Sequence, residues 1–172
     1  MEHQLTVGLQ TLFTAKELYD TIISSKRIIM QTFVPINSFN QSAHVMDLRR
    51  LGKQIIESQQ IFKALSMPDY GWQSHPAVKM WRGHRGALLN YTAAFNKEWK
   101  FRRGKDHGAY VNLLPIASEY FLGDSEYDMP KWWGVYEVHQ SHQSNLVRKD
   151  PEHYEKHFPS VPRGLDYLWP VK

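Results

Sequence analysis

Within the run His44–Glu57 (HVMDLRRLGKQIIE), Asp47, Arg50, Gln54 and Glu57 recur three and four residues apart. On a helix that spacing stacks them on one face. Arg49, Lys53 and Gln60 form a neighbouring line. Together they offer carboxylates for general acid–base work, an amine for nucleophilic attack and guanidinium groups for phosphate. Lys53 is the plain amine candidate. Arg49 and Arg50 crowd it with like charge, which depresses an amine's pKa, and Glu57 one turn on can act as its acid–base partner. An ordinary (i, i+4) Lys–Glu pair accounts for the same two residues. The stripe stands out because it borders an apolar one: Leu48, Leu51, Ile55, Phe62 and Leu65 recur at helical spacing and are expected to face a core. Charges on that border are half buried and need partners or a ligand.

Three other clusters carry possible chemistry. From Lys79 to Lys105 there are eight Lys or Arg and one acid, Glu98; from Asp106 to Met129 there are five acids and no Lys or Arg. Trp81, Tyr91, Phe95, Trp99 and Phe101 interleave the basic run, a pattern suited to phosphate-bearing partners as well as to a solvated helix face. Arg103-Gly-Lys-Asp-His107 follows the end of that run and can clamp an anion, or can simply complement a helix dipole; no Walker motif is present. Ser141-His142-Gln-Ser-Asn145-Leu-Val-Arg148-Lys149 is dense in donors that can grip phosphate oxygens or base edges. The expected nucleic-acid contacts are therefore Arg49, His75, Trp81, Arg82, Arg103, Lys105, His107, His142, Asn145, Arg148 and Lys149. Expected chemistry falls to Lys53, Glu57, Asp47 and Arg50. His139 and His142 are three apart and can reach one ion, with His75, His84, His107 or His153 as a distant third ligand. Without an HExxH or a His-rich set, no metal and no cofactor are expected.

These side chains need long helices to position them. Asn37 or Ser38 can cap a first one running to about Ser66, where Met67-Pro-Asp-Tyr-Gly71 breaks it. His75-Pro76 opens a second, along which Ala77, Trp81, His84, Leu88, Tyr91, Phe95 and Trp99 trace one face until Gly104. A short helix is expected over Leu113–Phe121, a further long one over about Val138–Arg148, and another short one capped by Asp150. An extended stretch over Gln31–Val34 is the single strand-like pattern. Thr14-Ala-Lys-Glu17 resembles a capping box for a short helix to about Ser25. The tail from Phe158 to Pro170 is aromatic and proline-rich and is expected to pack as an irregular strap.

The 172 residues suffice for one domain with a real core, and 13% aromatic content argues against disorder. Cysteine is absent, which excludes a cysteine nucleophile, a cysteinyl metal site and a disulfide scaffold and fits a reducing cytoplasm. No apolar run reaches membrane-spanning length, and no secretory signal is visible. The reading is an all-α fold: a compact single-domain helical bundle with long irregular connections over residues 30–172, preceded by an extension over residues 1–29. A cytoplasmic monomer without membrane or protein partners is expected.

Met46-Asp-Leu-Arg-Arg-Leu-Gly-Lys-Gln54 with Glu57, Trp72-x-x-His75-Pro76 with Met80-Trp81, His142 to Tyr154, and Tyr167-Leu-Trp-Pro170 resemble a group of small bacterial and phage proteins described as pyrimidine-dimer DNA glycosylase or endonuclease V-like. The resemblance covers about residues 30–170. It implies a compact helical enzyme that binds a bent duplex at a lesion, with the α-amine of an N-terminal threonine forming a Schiff base at the sugar, a glutamate on the first long helix assisting, and arginines on that helix gripping phosphates. Carried over, Arg49 and Lys53 fall on phosphate-gripping positions, and Arg148 and Lys149 resemble a second basic wall. Two positions depart from the pattern. Arg50 stands where the glutamate is expected, and Met1-Glu2 opens the chain in place of a threonine; even Met30 would put Thr32 third. The partner implied is DNA with a damaged or modified pyrimidine, and the reaction is base excision, with abasic lyase activity as an addition. A non-catalytic nucleic-acid-binding module remains open. So does an enzyme for nucleotides or modified bases, with Asp47, Arg50, Lys53, Glu57, His75, Lys105, His107 and Asn145 lining a closed pocket.

Overall fold

The computed structural model describes residues 30–120 and 123–171. The helix expected over Thr14–Ser25 lies outside them. Among the described residues all regular structure is helical: α1 (Phe39–Val45), α2 (Leu48–Ser66), α3 (Pro76–Met80), α4 (Arg85–Arg103), α5 (Gly108–Glu119), a 3-10 turn over Asp124–Tyr127, α6 (Tyr136–Lys149) and α7 (Pro151–Tyr154). The segment before α1 is extended but pairs with no strand.

The first expected helix is two. Ser38 caps α1, accepting the Gln41 N–H at 3.4 Å. The chain then turns extended at Met46, and Asp47 starts α2 by accepting the Arg50 N–H at 2.9 Å. Aspartate is among the best N-caps, because its carboxylate satisfies an amide that has no intrahelical partner. Leu48 thereby becomes the first residue of α2. It lies 40% exposed rather than in the core, while Leu51, Ile55, Ile61 and Phe62 are fully buried.

The second expected helix also divides. Its periodicity crosses Trp81–His84 without a break, yet α3 ends at Met80, and Gly83 in the link to α4 adopts φ 79°, left-handed backbone that a continuous helix does not hold. The expected short helix begins earlier than Leu113. His107 caps α5, accepting the Ala109 N–H at 3.1 Å, and Pro115 sits within it. Asp150 caps α7 as expected, with Pro151 in its first turn.

α2 packs along α4; α1 leans on α4, and α5 leans on both. Gly52 permits the approach: a Cβ there would stand 2.8 Å from the Trp99 ring. The core gathers Met46, Leu51, Ile55, Phe62, Trp81, Leu88, Tyr91, Phe95, Leu146 and Tyr154. The tail binds back as a strap. The Leu165 and Leu168 N–H groups donate to Ser144 Oγ and Ser141 Oγ at 3.0 and 3.1 Å, and Tyr167 Oη donates to the Thr32 carbonyl at 2.7 Å.

Candidate active site

The polar stripe of α2 forms the floor of a cavity of about 180 Å3. Arg49, Arg50, Lys53, Gln54 and Glu57 come from α2, Gln31 and Phe33 from the extended segment, and Lys149 from the last turn of α6. A larger groove of about 830 Å3 passes Phe101 and His44 between α1 and α4, but no buried titratable side chain lines it.

Glu57 is 3% exposed. Its Oε2 accepts from Gln54 Nε2 at 2.8 Å, while Oε1 has no hydrogen-bond partner. The nearest cation is Lys53, whose Nζ stands 3.5 Å from Oε1. Burial raises the carboxyl to about 7, against the opposing pull of Lys53, the Gln31 backbone and Gln54. A carboxyl that changes charge near neutrality is suited to general acid–base work. Gln54 is itself locked: its Oε1 accepts the Phe33 N–H at 2.6 Å and Tyr91 Oη–H at 2.7 Å, which turns its amide nitrogen toward Glu57.

The other half of the stripe has a different use. Arg50 Nη1 pairs with Asp47 Oδ2 at 2.7 Å and Asp150 Oδ2 at 3.3 Å, and Nη2 donates to the Lys149 carbonyl at 3.1 Å. Tyr154 Oη donates to Asp47 Oδ2 at 2.6 Å. Burial works to raise the Asp47 carboxyl, but the Tyr154 hydroxyl and Arg50 outweigh it and hold it below the usual carboxylate range. This closed network ties the start of α2 to the α6–α7 junction. It gives Asp47 a capping role and leaves it without a lone pair aimed into the cavity, contrary to its expected place in the chemistry.

Around the rim, Arg49, Lys53 and Lys149 are exposed, as is the neighbouring Arg148, which bonds Asn145. Burial, then Lys53, Arg50 and Arg148, lower the Lys149 pKa, with Glu57 opposing. The basic end of α4 lies on the other flank of α2, where Arg103 stands 5.9 Å over the Trp99 ring and His107 meets that ring edge-on at 4.7 Å. Lys105 is exposed next to it.

Three expected contacts are buried in the core and cannot face a duplex. Trp81 is fully buried and donates its Nε1–H to Thr32 Oγ1 at 3.0 Å. His142, also fully buried, accepts the Val34 N–H on Nδ1 at 3.0 Å and stacks on Tyr167 at 4.3 Å. Burial and the neighbouring His139 push it down to about 3, so it stays neutral. Asn145 is spent on the Ser141 and Leu165 carbonyls and on Arg148. Helical spacing put these residues on one face with Arg148, but that face turns inward until the last turn of α6. His139 does not join His142 at an ion either: its Nδ1 bonds the Val34 carbonyl at 2.6 Å and its Nε2 accepts the Gly134 N–H. Among the described residues no three His, Asp or Glu group as a metal site. Arg82 bonds the Gln73 carbonyl at 3.1 Å, away from the cavity. His75 caps α3 and sits edge-on between Trp72 and Trp169, at the far end of an aromatic row that returns through Tyr167 to Phe33.

Sequence reasoning passed over Gln31 and Phe33 and gave Gln54 no role. Gln54 stood within the polar stripe, which was its signal. Nothing in the local pattern of Gln31 and Phe33 marks them, because their place depends on a tertiary contact.

Against this geometry, residues 30–111 match the model of a family described as pyrimidine dimer DNA glycosylase. The matched span contains Arg49, Lys53, Gln54 and Glu57 and ends before Lys149. Neither the curated proteins nor the solved structures contain a match to the chain.

Proposed function

We propose that the chain is a DNA base-excision enzyme acting on a damaged pyrimidine, with Glu57 as acid–base residue. The observation that carries the reading is a buried carboxyl, one oxygen held by Gln54 and the other facing Lys53 at 3.5 Å without a hydrogen bond, set in a small cavity lined by Arg49, Lys53 and Lys149. A glycosidic bond breaks through a cationic sugar, which a carboxylate stabilises as it forms, and the same group can activate water or accept a proton. The rim cations supply the phosphate contacts that hold the strand over the cavity. The family match over residues 30–111 supports this class of substrate.

Glu57 also bears on the departure at Arg50. An acidic side chain is present on α2, two turns beyond the position where the resemblance expects it. Its position favours excision over a binding module, which has no use for a buried carboxyl near neutrality. The exposed cationic rim favours DNA over a nucleotide in a closed pocket.

The test uses labelled duplexes carrying a cyclobutane dimer, a modified pyrimidine or an abasic site. Lesion-dependent base release or strand cleavage is expected, and Glu57→Gln abolishes it while binding persists. Absence of product on every duplex, or full activity in Glu57→Gln, overturns the reading.

A further inference from the structure

We infer that the cavity over Glu57 takes one extruded pyrimidine base, that Gln31 reads its hydrogen-bonding edge, and that a cyclobutane dimer is too large to enter. This rests on the excision reading and names the substrate of the same site.

The first observation is size. The cavity measures about 180 Å3. A cavity of roughly 150 Å3 takes one benzene ring, whereas pockets for drug-sized ligands start at roughly 300 Å3. One six-membered base therefore fits. Two pyrimidines joined through a cyclobutane must enter together, and the space stops short of that. Its walls are also fixed. His142 and Tyr167 hold the Phe33 ring edge-on at 6.0 and 5.7 Å, and Gln54 is bonded to the Phe33 amide, the Tyr91 hydroxyl and Glu57.

The second observation is Gln31. It lines the cavity and is 7% exposed, and among the described residues no partner bonds its side-chain amide. Such a group is costly to bury unless water or a ligand meets it. Gln31 and Phe33 lie two apart on extended backbone, so their side chains share a face. Together they offer an amide edge beside an apolar wall. A primary amide sets an acceptor oxygen next to a donor nitrogen. Pyrimidines carry the complement on their Watson–Crick edge: N3–H beside a carbonyl in uracil and thymine, N3 beside an amino group in cytosine. An extruded base is read in this manner, by hydrogen bonds to that edge and contact with an apolar side chain. Extrusion costs least for a base whose pairing or stacking is already damaged, which selects the lesion.

The experiment follows single-turnover base release by the full chain. Labelled duplexes carry one dihydrouracil, hydroxyuracil or thymine glycol, or one thymine dimer. At least one single-ring lesion is expected to be released roughly 10-fold or more faster than the dimer. Gln31→Ala slows that release by roughly 10–100-fold. The wild-type preference for a lesion duplex over one carrying an abasic analogue, which offers no base edge, also collapses in this variant; a merely structural loss weakens both alike. Release of the dimer as fast as any single-ring lesion overturns the inference and leaves the excision reading standing. So does a wild-type rate and preference in Gln31→Ala. No base release from any duplex removes the excision reading, and the inference with it.

Discussion

Gln54 holds one oxygen of Glu57 at 2.8 Å and leaves the other without a hydrogen bond, facing Lys53 at 3.5 Å. The arrangement is directional. Phe33 N–H and Tyr91 Oη–H occupy the Gln54 oxygen, so its amide can only donate toward the carboxyl. A carboxyl that receives one hydrogen bond in a buried site keeps a basic lone pair for a proton or a forming cation.

Activity is expected to rise with pH through about 7, because Glu57 must be ionised to act and burial raises it to about that value. The check is single-turnover cleavage from pH 5 to 9. A profile flat across that window, or one falling as pH rises, contradicts the assignment.

The same carboxyl burdens the fold. Its pKa is raised on folding, so its favourable contribution is complete below about 4.5, the unfolded value, and is lost as pH climbs through about 7. Glu57→Gln is therefore expected to stabilise the protein at pH 8 by about 1–3 kcal/mol, while abolishing turnover. Urea melts of both proteins at pH 5 and pH 8 measure it: the advantage of the variant must shrink at the lower pH.

Replacing Gln54 acts in the opposite sense. Gln54→Leu strands the Phe33 amide in a buried site and leaves the Tyr91 hydroxyl only the Phe33 carbonyl at 3.3 Å, at a cost of about 2–4 kcal/mol. Denaturant midpoints test this, and kcat falls in the fraction that remains folded because Glu57 loses its orientation.

Arg49 and Trp81, both expected on the DNA surface, now separate. Arg49→Ala changes stability by less than about 0.5 kcal/mol and lowers the salt slope of duplex binding by about one. Trp81→Ala empties a core site and destabilises by about 3–5 kcal/mol. Equal losses of stability in the two variants would contradict the placement of Arg49 on the rim.

Gly52→Ala tests the packing beneath the site. Its Cβ meets the Trp99 ring at 2.8 Å, so α2 or the ring must shift, costing about 1–3 kcal/mol. Thermal unfolding reads the loss.

The sequence carried the helical class, the polar stripe and the capping role of Asp150, because these follow from local spacing and cap chemistry. Helix breaks at Met46–Asp47 and at Trp81–His84 escaped it. The apolar period runs through both, and only tertiary packing shows that Asp47 serves better as a cap and Gly83 as a stop. Residues read as one outward face on α6 divided for a similar reason. His142 and Asn145 face the extended segment and the tail, while Arg148 and Lys149 emerge only where the helix ends. Periodicity finds faces but does not say which of two polar faces meets water.

Tyr167 bonds the Thr32 carbonyl across 135 residues, and the cavity takes its wall from Phe33, its floor from Glu57 and its far rim from Lys149. Such a site has no local precursor. Loop closure over most of the chain must precede it, which places it late in folding and makes it a high-contact-order feature. Chains still emerging from the ribosome, or clipped before α6, carry the α2 cations without the assembled cavity. The cations of α2 and the cavity above them are thus separated in the life of the molecule, and only the finished fold holds both.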